Sequence, residues 1–346
     1  MAAKAKASPL LTLPTIRLNH LRSGDAAESK KLIGACWNCG FFYLDLSSDD
    51  ILCRQWEEML ASMKDYFGQP LDVKMQDARQ SDNYGYEPQG TQVGPWPETV
   101  DGYETLKISR REFLKGSTDL TTASVLAKTE LFFNFSRKAH EATMIILQRL
   151  SDEMGLAGDD RFEAFHNDTI PSLTNLTLLR YPKHNELKGS SVGHNKHTDI
   201  GSLTFLLAEQ WGLQALSPDQ ETWGFVEPRS KHAVINVGDS LRFSSMGQLL
   251  SAVHRVILIH EKQDEDRYSI AYFLRRGNDT PFRDGTGTIW TAKEWHDFKF
   301  NAFRAPTSPM QVLTGMMEKN DLTTARHAIG HWTLVPPPGL CQTTAR

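Results

Sequence analysis

From Pro171 onward the chain breaks into short β-like runs separated by turn residues, and this pattern restricts the possible folds more than any other feature of the sequence. The runs are Leu173–Tyr181, Leu203–Ala208, Gly212–Leu216, Trp223–Glu227, Ala233–Val237, Leu241–Ser244, Val253–His260 and Tyr268–Leu274. Eight short strands at this spacing, with no helical period between them, predict a sandwich or jelly roll. The first half reads differently. Ser48 is positioned to cap a helix whose apolar residues Leu52, Trp56, Met59, Leu60, Met63 and Phe67 share one face, with Gly68 and Pro70 to stop it. A second long helix is expected from about Ala123 to Leu156. Helical character returns from Thr291, notably around Met310 to Glu318.

The 346 residues could hold two average domains, but one large β core with helical flanks also fits. We expect the latter: a mainly β fold in which a helical region, 1–170, and a carboxy-terminal helical flank, 277–346, pack on a core at 171–276 as one integrated unit. Between the first two long helices lies Asn83 to Lys107, rich in Gly, Pro and Tyr. A long irregular connection of this kind is usually functional, and we expect a lid there.

A net charge of −4 offers no electrostatic case for nucleic acid or an anionic membrane. No span of about eighteen apolar residues is present, so a transmembrane helix is not expected. The first residues, Met1 to Leu13, lack a signal-peptide core, and cytosol is the default compartment. Of the four cysteines, Cys36 and Cys39 have the spacing of a redox or zinc pair, but only Cys53 follows nearby. A zinc site needs a second pair, so these thiols are expected to pack as small apolar groups in an amphipathic helix ending at Gly40.

Three places offer a histidine and an acid at i and i+2: His166/Asp168, His184/Glu186 and His197/Asp199. Non-haem iron(II) oxygenases hold their metal with two histidines and one carboxylate on one face, leaving other positions open. A pair two residues apart near a strand end can point to one side. Only His197-Thr198-Asp199 is followed at once by a glycine and an apolar run, Ile200 to Leu207; the other two pairs are expected to be structural or solvated. A third ligand must come from a distant strand. His254, in Ser251-Ala-Val-His-Arg-Val-Ile-Leu, is the best placed, although a histidine in an apolar strand is often a satisfied core residue. His232, His260 and His296 fall at a turn, a strand end and a helix.

Arg267-Tyr268-Ser269 opens the last core strand, with the arginine and serine on one face. A guanidinium fork beside a hydroxyl suits a buried carboxylate. An arginine at a strand start could equally pair with Asp264 or Glu265.

Taken together, these residues resemble the 2-oxoglutarate/iron(II) dioxygenases of the isopenicillin N synthase-like superfamily, common in plant and fungal specialised metabolism. The resembling segments run in order: His197-Thr-Asp-Ile-Gly-Ser-Leu-Thr, Trp211-Gly-Leu-Gln, Val234-Ile-Asn-Val-Gly-Asp-Ser-Leu, Ser251-Ala-Val-His-Arg-Val and Arg267-Tyr-Ser-Ile-Ala-Tyr-Phe. Leu13-Pro-Thr-Ile-Arg-Leu and Gly40-Phe-Phe-Tyr-Leu are similar to the family's amino-terminal region. The resemblance implies a distorted double-stranded β-helix, a jelly roll with helical flanks. It also implies iron(II) on His197, Asp199 and His254, and 2-oxoglutarate on Arg267 and Ser269 with Tyr181 in contact. O2 is then the second co-substrate, and Phe273 lines the substrate side of the metal. The activity implied is oxidation of a small organic molecule by iron(IV)-oxo hydrogen abstraction, with release of succinate and CO2.

The chain departs from the family pattern in three places. Ser245-Met246-Gly247 replaces the usual Ser-Asn-Gly, and the gap from His254 to Arg267 is slightly long. Arg275-Arg276 stands where a proline is common. Those arginines could meet an acidic substrate or form a solvated pair. The rivals are an iron oxidase of the same fold that does not use 2-oxoglutarate, and a non-catalytic jelly-roll binding protein with a retained metal site. A zinc hydrolase finds no HxxE or HExxH motif here. One chain supplies the whole ligand set, so a monomer would suffice.

Overall fold

The computed structural model describes residues 9–91, 101–115, 122–183, 192–218, 221–257, 265–304 and 342–344. Two sheets dominate it. The larger has eight strands in the order 15–17, 41–45, 232–237, 203–208, 267–274, 175–181, 104–109 and 85–87. The smaller has six, in the order 342–344, 10–12, 223–225, 213–216, 254–257 and 192–197. This is the double-stranded β-helix expected from the sequence, with helices packed on the larger sheet.

Alternation along the central strands explains how one sheet serves two environments. Ile270, Tyr272 and Leu274 join Leu203, Phe205, Leu207, Ala233, Ile235, Leu176 and Leu178 in a cluster shared with the helices. The intervening residues Asn175, Thr177, Thr204, Asn236, Ser269 and Ala271 therefore face the other way, into the space between the sheets. The helix Thr129–Glu153 covers the outer face by burying Phe132, Phe135, Ala139, Ala142, Ile146 and Leu150 at three- and four-residue spacing. The helix Ala26–Asn38 begins where the Asp25 carboxylate accepts hydrogen bonds from the Ala27 and Glu28 amides. Cys36 and Cys39 are buried in and beside it, and burial pushes the Cys36 thiol far up, as expected for packed thiols. Cys341 lies outside the described residues.

Several expectations need correction. Leu241–Ser244 is not a strand but part of a short helix, Asp239–Ser244. The strand Val192–His197 has no counterpart among the runs expected from the sequence. The long helix from Ala123 is two, Ala123–Leu126 and Thr129–Glu153, and the cap of the helix Asp50–Phe67 is Asp49 rather than Ser48. The amino-terminal region also contributes five strands to the sheets, two of them, Gly85–Glu87 and Glu104–Ser109, within or overlapping the segment expected to be irregular. Residues 92–100 of that segment, and the helix expected near Met310, lie outside the described residues. The helix expected from Thr291 is present as Ala292–Arg304.

Candidate metal centre and co-substrate chamber

His197 is the last residue of its strand and lies directly across from His254, the first residue of the strand His254–Ile257. Their ring centroids are 4.3 Å apart. Asp199 sits in the turn that follows His197, and its Oδ1 is 3.5 Å from His197 Nε2 and 3.7 Å from His254 Nε2. One ligand atom from each of the three residues lies within 4.8 Å of the others, and all three side chains are buried. Among the described residues, the pair His166/Asp168 forms no such cluster. His166 is buried, with Nδ1 on the Phe162 carbonyl and Nε2 2.8 Å from Ser202 Oγ, while Asp168 pairs with Arg110. His184, Glu186 and His260 lie outside the described residues.

Hydrogen bonds decide which atoms face the centre. His197 Nδ1 is 2.7 Å from the Asn195 carbonyl, and His254 Nδ1 is 3.2 Å from the Ala252 carbonyl. A carbonyl only accepts, so each Nδ1 carries the proton and each Nε2 presents its lone pair inward. Asp199 Oδ2 accepts from Asn236 Nδ2 at 2.7 Å and from the Thr204 hydroxyl, which leaves Oδ1 for the centre. Burial alone would raise the Asp199 carboxyl. The two histidines and Asn236 outweigh it and hold the group well below the usual carboxylate range. Burial, with His197 adding to it, pushes His254 down to about 4, so its ring is neutral near pH 7. An ionised carboxylate and neutral imidazoles are what a divalent first-row cation needs, and the three donors leave the remaining positions open.

Residues beyond the motif hold this arrangement. Lys299, from the carboxy-terminal helix, is 2% exposed and donates to the Thr198 carbonyl and hydroxyl, both at 2.8 Å, and to Asp239 Oδ2 at 2.5 Å. It thereby pins the one residue between the two ligands of the turn. His194 stacks on the His197 ring at 4.3 Å and is itself stacked on Tyr103 at 4.7 Å. Sequence reasoning missed Lys299 and His194. The spacing His194-x-x-His197-x-Asp199 offered a signal for the second, whereas a lysine within an otherwise amphipathic helix gives none for the first.

The second buried feature is Arg267, 3% exposed, opposite Tyr181 in the sheet register. Its guanidinium lies 4.9 Å from the Tyr181 ring centroid. Nε donates to the Trp211 carbonyl at 3.0 Å, and Nη1 reaches Ser269 Oγ at 3.4 Å. It makes no ion pair with any described carboxylate; the neighbouring Asp266 is engaged by Arg180 instead. Burial lowers the Arg267 pKa and raises that of Tyr181 to about 12. A buried guanidinium without a counter-ion is costly, and an incoming carboxylate relieves that cost. The Tyr181 ring is admitted by Gly193, where a Cβ would come within 2.7 Å of it.

Beside the metal cluster opens a cleft of about 610 Å³, mouth included, lined by His197 and Asp199 together with Phe273, Arg275, Lys107 and Phe300. Arg275 and Arg276 are not a solvated pair: they are 8% and 4% exposed. The Arg276 guanidinium lies over the Phe165 ring at 4.0 Å and bonds the Ser244 hydroxyl.

Residues 13–126 match the family described as non-haem dioxygenase in morphine synthesis N-terminal, and residues 173–276 match the 2OG-Fe(II) oxygenase superfamily. The chain is 49% identical over 311 residues to the 2-oxoglutarate-dependent dioxygenase frbH of Dothideomycetidae sp., covering 89% of this chain and 96% of that protein. It is 49% identical over 315 residues to the oxidoreductase vrtI of Penicillium aethiopicum, covering 90% and 76% respectively. Among solved structures it is similar to the dioxygenase for auxin oxidation in rice, with a TM-score of 0.65, 23% identity and coverage of 86% and 98%. At that identity the likeness is one of fold.

Proposed function

Because the chain belongs to the 2OG-Fe(II) oxygenase superfamily and is a 2-oxoglutarate-dependent dioxygenase, we propose how its own residues divide the work. His197, Asp199 and His254 hold iron(II). Arg267 and Ser269 grip the distal carboxylate of 2-oxoglutarate, and the Tyr181 hydroxyl contacts the same co-substrate. Phe273 and Arg275 line the substrate side. When bound, the iron supplies the redox chemistry by which O2 and 2-oxoglutarate oxidise a small organic molecule, with succinate and CO2 released.

The observation that carries this division is the pairing of two complementary features. Two Nε2 atoms and one carboxylate oxygen converge, each with its partner atom already hydrogen-bonded, and a buried guanidinium paired with no described carboxylate lies in the same space between the sheets. The fit to iron is supported by donor chemistry: two imidazoles and one ionised carboxylate, with no thiolate in the cluster. Arg267 and Ser269 orient the co-substrate, Asn236 and Thr204 keep Asp199 from rotating away, and Lys299 holds Thr198 beside it. The walls formed by Tyr103, Leu179, Tyr181 and Val256 exclude water from the chamber.

We place the substrate among specialised metabolites, a reading supported by the family resemblance. Since every residue named belongs to one chain, a single chain suffices. Cytosol remains our proposal for compartment; among the described residues no helix is long and apolar enough to cross a membrane. That 1–170, 171–276 and 277–346 act as one unit is supported by amino-terminal strands completing both sheets and by Lys299 reaching the metal turn.

The test is anaerobic loading with iron(II) followed by 2-oxoglutarate, watching the weak visible charge-transfer band of the chelate. Wild type should develop the band. Arg267→Ala should need a roughly 30-fold or greater excess of 2-oxoglutarate, as expected when one partner of a buried charged pair is removed. Bound iron without any band in wild type would sink the 2-oxoglutarate roles, and O2 consumption without 2-oxoglutarate would bring the oxidase forward.

A further inference from the structure

We propose that Arg275 recognises a carboxylate on the substrate, so that the enzyme acts on small organic acids; this rests on the oxygenase function above and names its substrate class.

The position of Arg275 follows from strand periodicity. Arg267, Ser269, Ala271, Phe273 and Arg275 fall on one face of the last core strand and its continuation, and that face looks into the space between the sheets. Two buried arginines therefore stand at opposite ends of one face, roughly 26 Å apart at about 3.3 Å per residue. The Arg267 end meets Tyr181, whereas the Arg275 end lines the cleft that also exposes His197 and Asp199. One strand thus offers a cation at each end of the reaction space.

Arg275 has the features of a built anion site. Its Nη1 is anchored on Asn83 Oδ1 at 2.9 Å and on the Leu173 carbonyl at 2.5 Å. Its Nε is buried without a hydrogen-bond partner, and the side chain makes no ion pair with any described carboxylate. Gly201 lets the stem lie flat, since a Cβ there would come within 3.0 Å of Arg275 Cγ. Anchoring through Nη1 leaves the Nε edge of the fork, the edge that binds a carboxylate side-on.

Neighbouring charges sharpen the contrast. Lys107 lines the same cleft, but its Nζ is engaged by Glu87 Oε2 at 2.7 Å. Arg276 is occupied by Ser244 and the Phe165 ring. Asp82 and Asp199 act on Arg275 through space, yet burial prevails and lowers its pKa to about 10. The desolvation that makes this cation costly when unpaired is what an organic acid would offset. The rest of such a molecule would lie against Phe273 and Phe300.

The experiment uses the full chain loaded anaerobically with iron(II) and saturating 2-oxoglutarate, so that Arg267 is occupied. Phenylacetate, 3-phenylpropionate and 4-phenylbutyrate are titrated calorimetrically, each against its primary amide. At least one acid should bind about tenfold or more tightly than its amide, since a charge-assisted bond is lost in the amide. Arg275→Gln should erase that preference. Arg275→Lys, which keeps the charge and loses the fork, should retain part of it and serves if the glutamine variant does not fold. Equal binding of acid and amide in wild type, with the chelate band present, overturns the inference and leaves the oxygenase roles standing. The same holds if the preference survives in Arg275→Gln. Failure of the chelate band in wild type overturns the underlying roles, and the inference with them.

Discussion

The two sheets that enclose the site are built differently. The eight-stranded sheet is backed by one continuous apolar cluster that runs from Ile16 to Leu274 and includes three long helices. The six-stranded sheet has a small cluster, with Leu11, Leu13, Leu213, Ala215 and Val226 among its members, and its register shifts twice between His254 and Ile257. Yet this lighter, irregular sheet carries both metal-binding histidines. The backed sheet supplies Thr204 and Asn236, which hold Asp199, and Arg267 with Ser269, the pair proposed above to grip the co-substrate. Irregular register is a common way to re-aim a side chain at a site edge, and it works when a rigid neighbour fixes what it aims at.

This division of labour can be broken from either side. The largest effect should come from Asp199→Ala, which takes iron from stoichiometric to background by metal analysis while the circular dichroism spectrum is retained. Loss of the fold instead would mean that the turn, and not just the ligand, depends on the carboxylate. Next is Ile270→Ala on the backed face, which should cost about 2–5 kcal/mol in denaturant unfolding. Iron affinity of the folded fraction should be unchanged; a parallel fall in both would erase the distinction between the two sheets.

Asn236→Ala should weaken iron binding by about 10- to 100-fold, the usual effect of removing a hydrogen bond that orients a ligand. Competition with a chelator measures it, and unchanged affinity would assign the support to Thr204 alone. The smallest effect concerns pH. Burial pushes His166 down to about 3, so it is neutral in the folded protein. As pH falls below about 6.5 the unfolded chain takes up a proton that the folded chain resists, and stability drops by up to about 1.4 kcal/mol per pH unit, flattening near the folded value. Unfolding midpoints should therefore fall between neutral and mildly acidic pH in wild type, and fall less in His166→Gln; equal slopes would count against a buried neutral ring.

Much of the site was legible because its chemistry uses residue types that rarely coincide by accident. His197, Asp199 and His254 come together as the motif implied, and Arg267, Ser269 and Tyr181 meet across paired strands. What misled was buried charge. The strand Glu104–Ser109 reads as polar, yet Glu104 is neutralised by Lys74 and Arg180, and Lys107 by Glu87. Arg275 and Arg276 are buried as well, on amide, carbonyl, hydroxyl and aromatic partners rather than on carboxylates. The run Leu241–Ser244 was too short for its period to separate strand from helix. The strand Val192–His197 has a polar composition because its residues serve the site rather than the core.

The last core strand is held by seven register partners on one side and six on the other. Side chains alternate, so slipping it by a single residue would turn both arginines, the serine and Phe273 outward together and drive Ile270 and Tyr272 into the chamber. Misfolded molecules should therefore be wholly inert rather than partly active. For an enzyme that handles activated oxygen, correct assembly and the ability to start the reaction are secured by the same pairing.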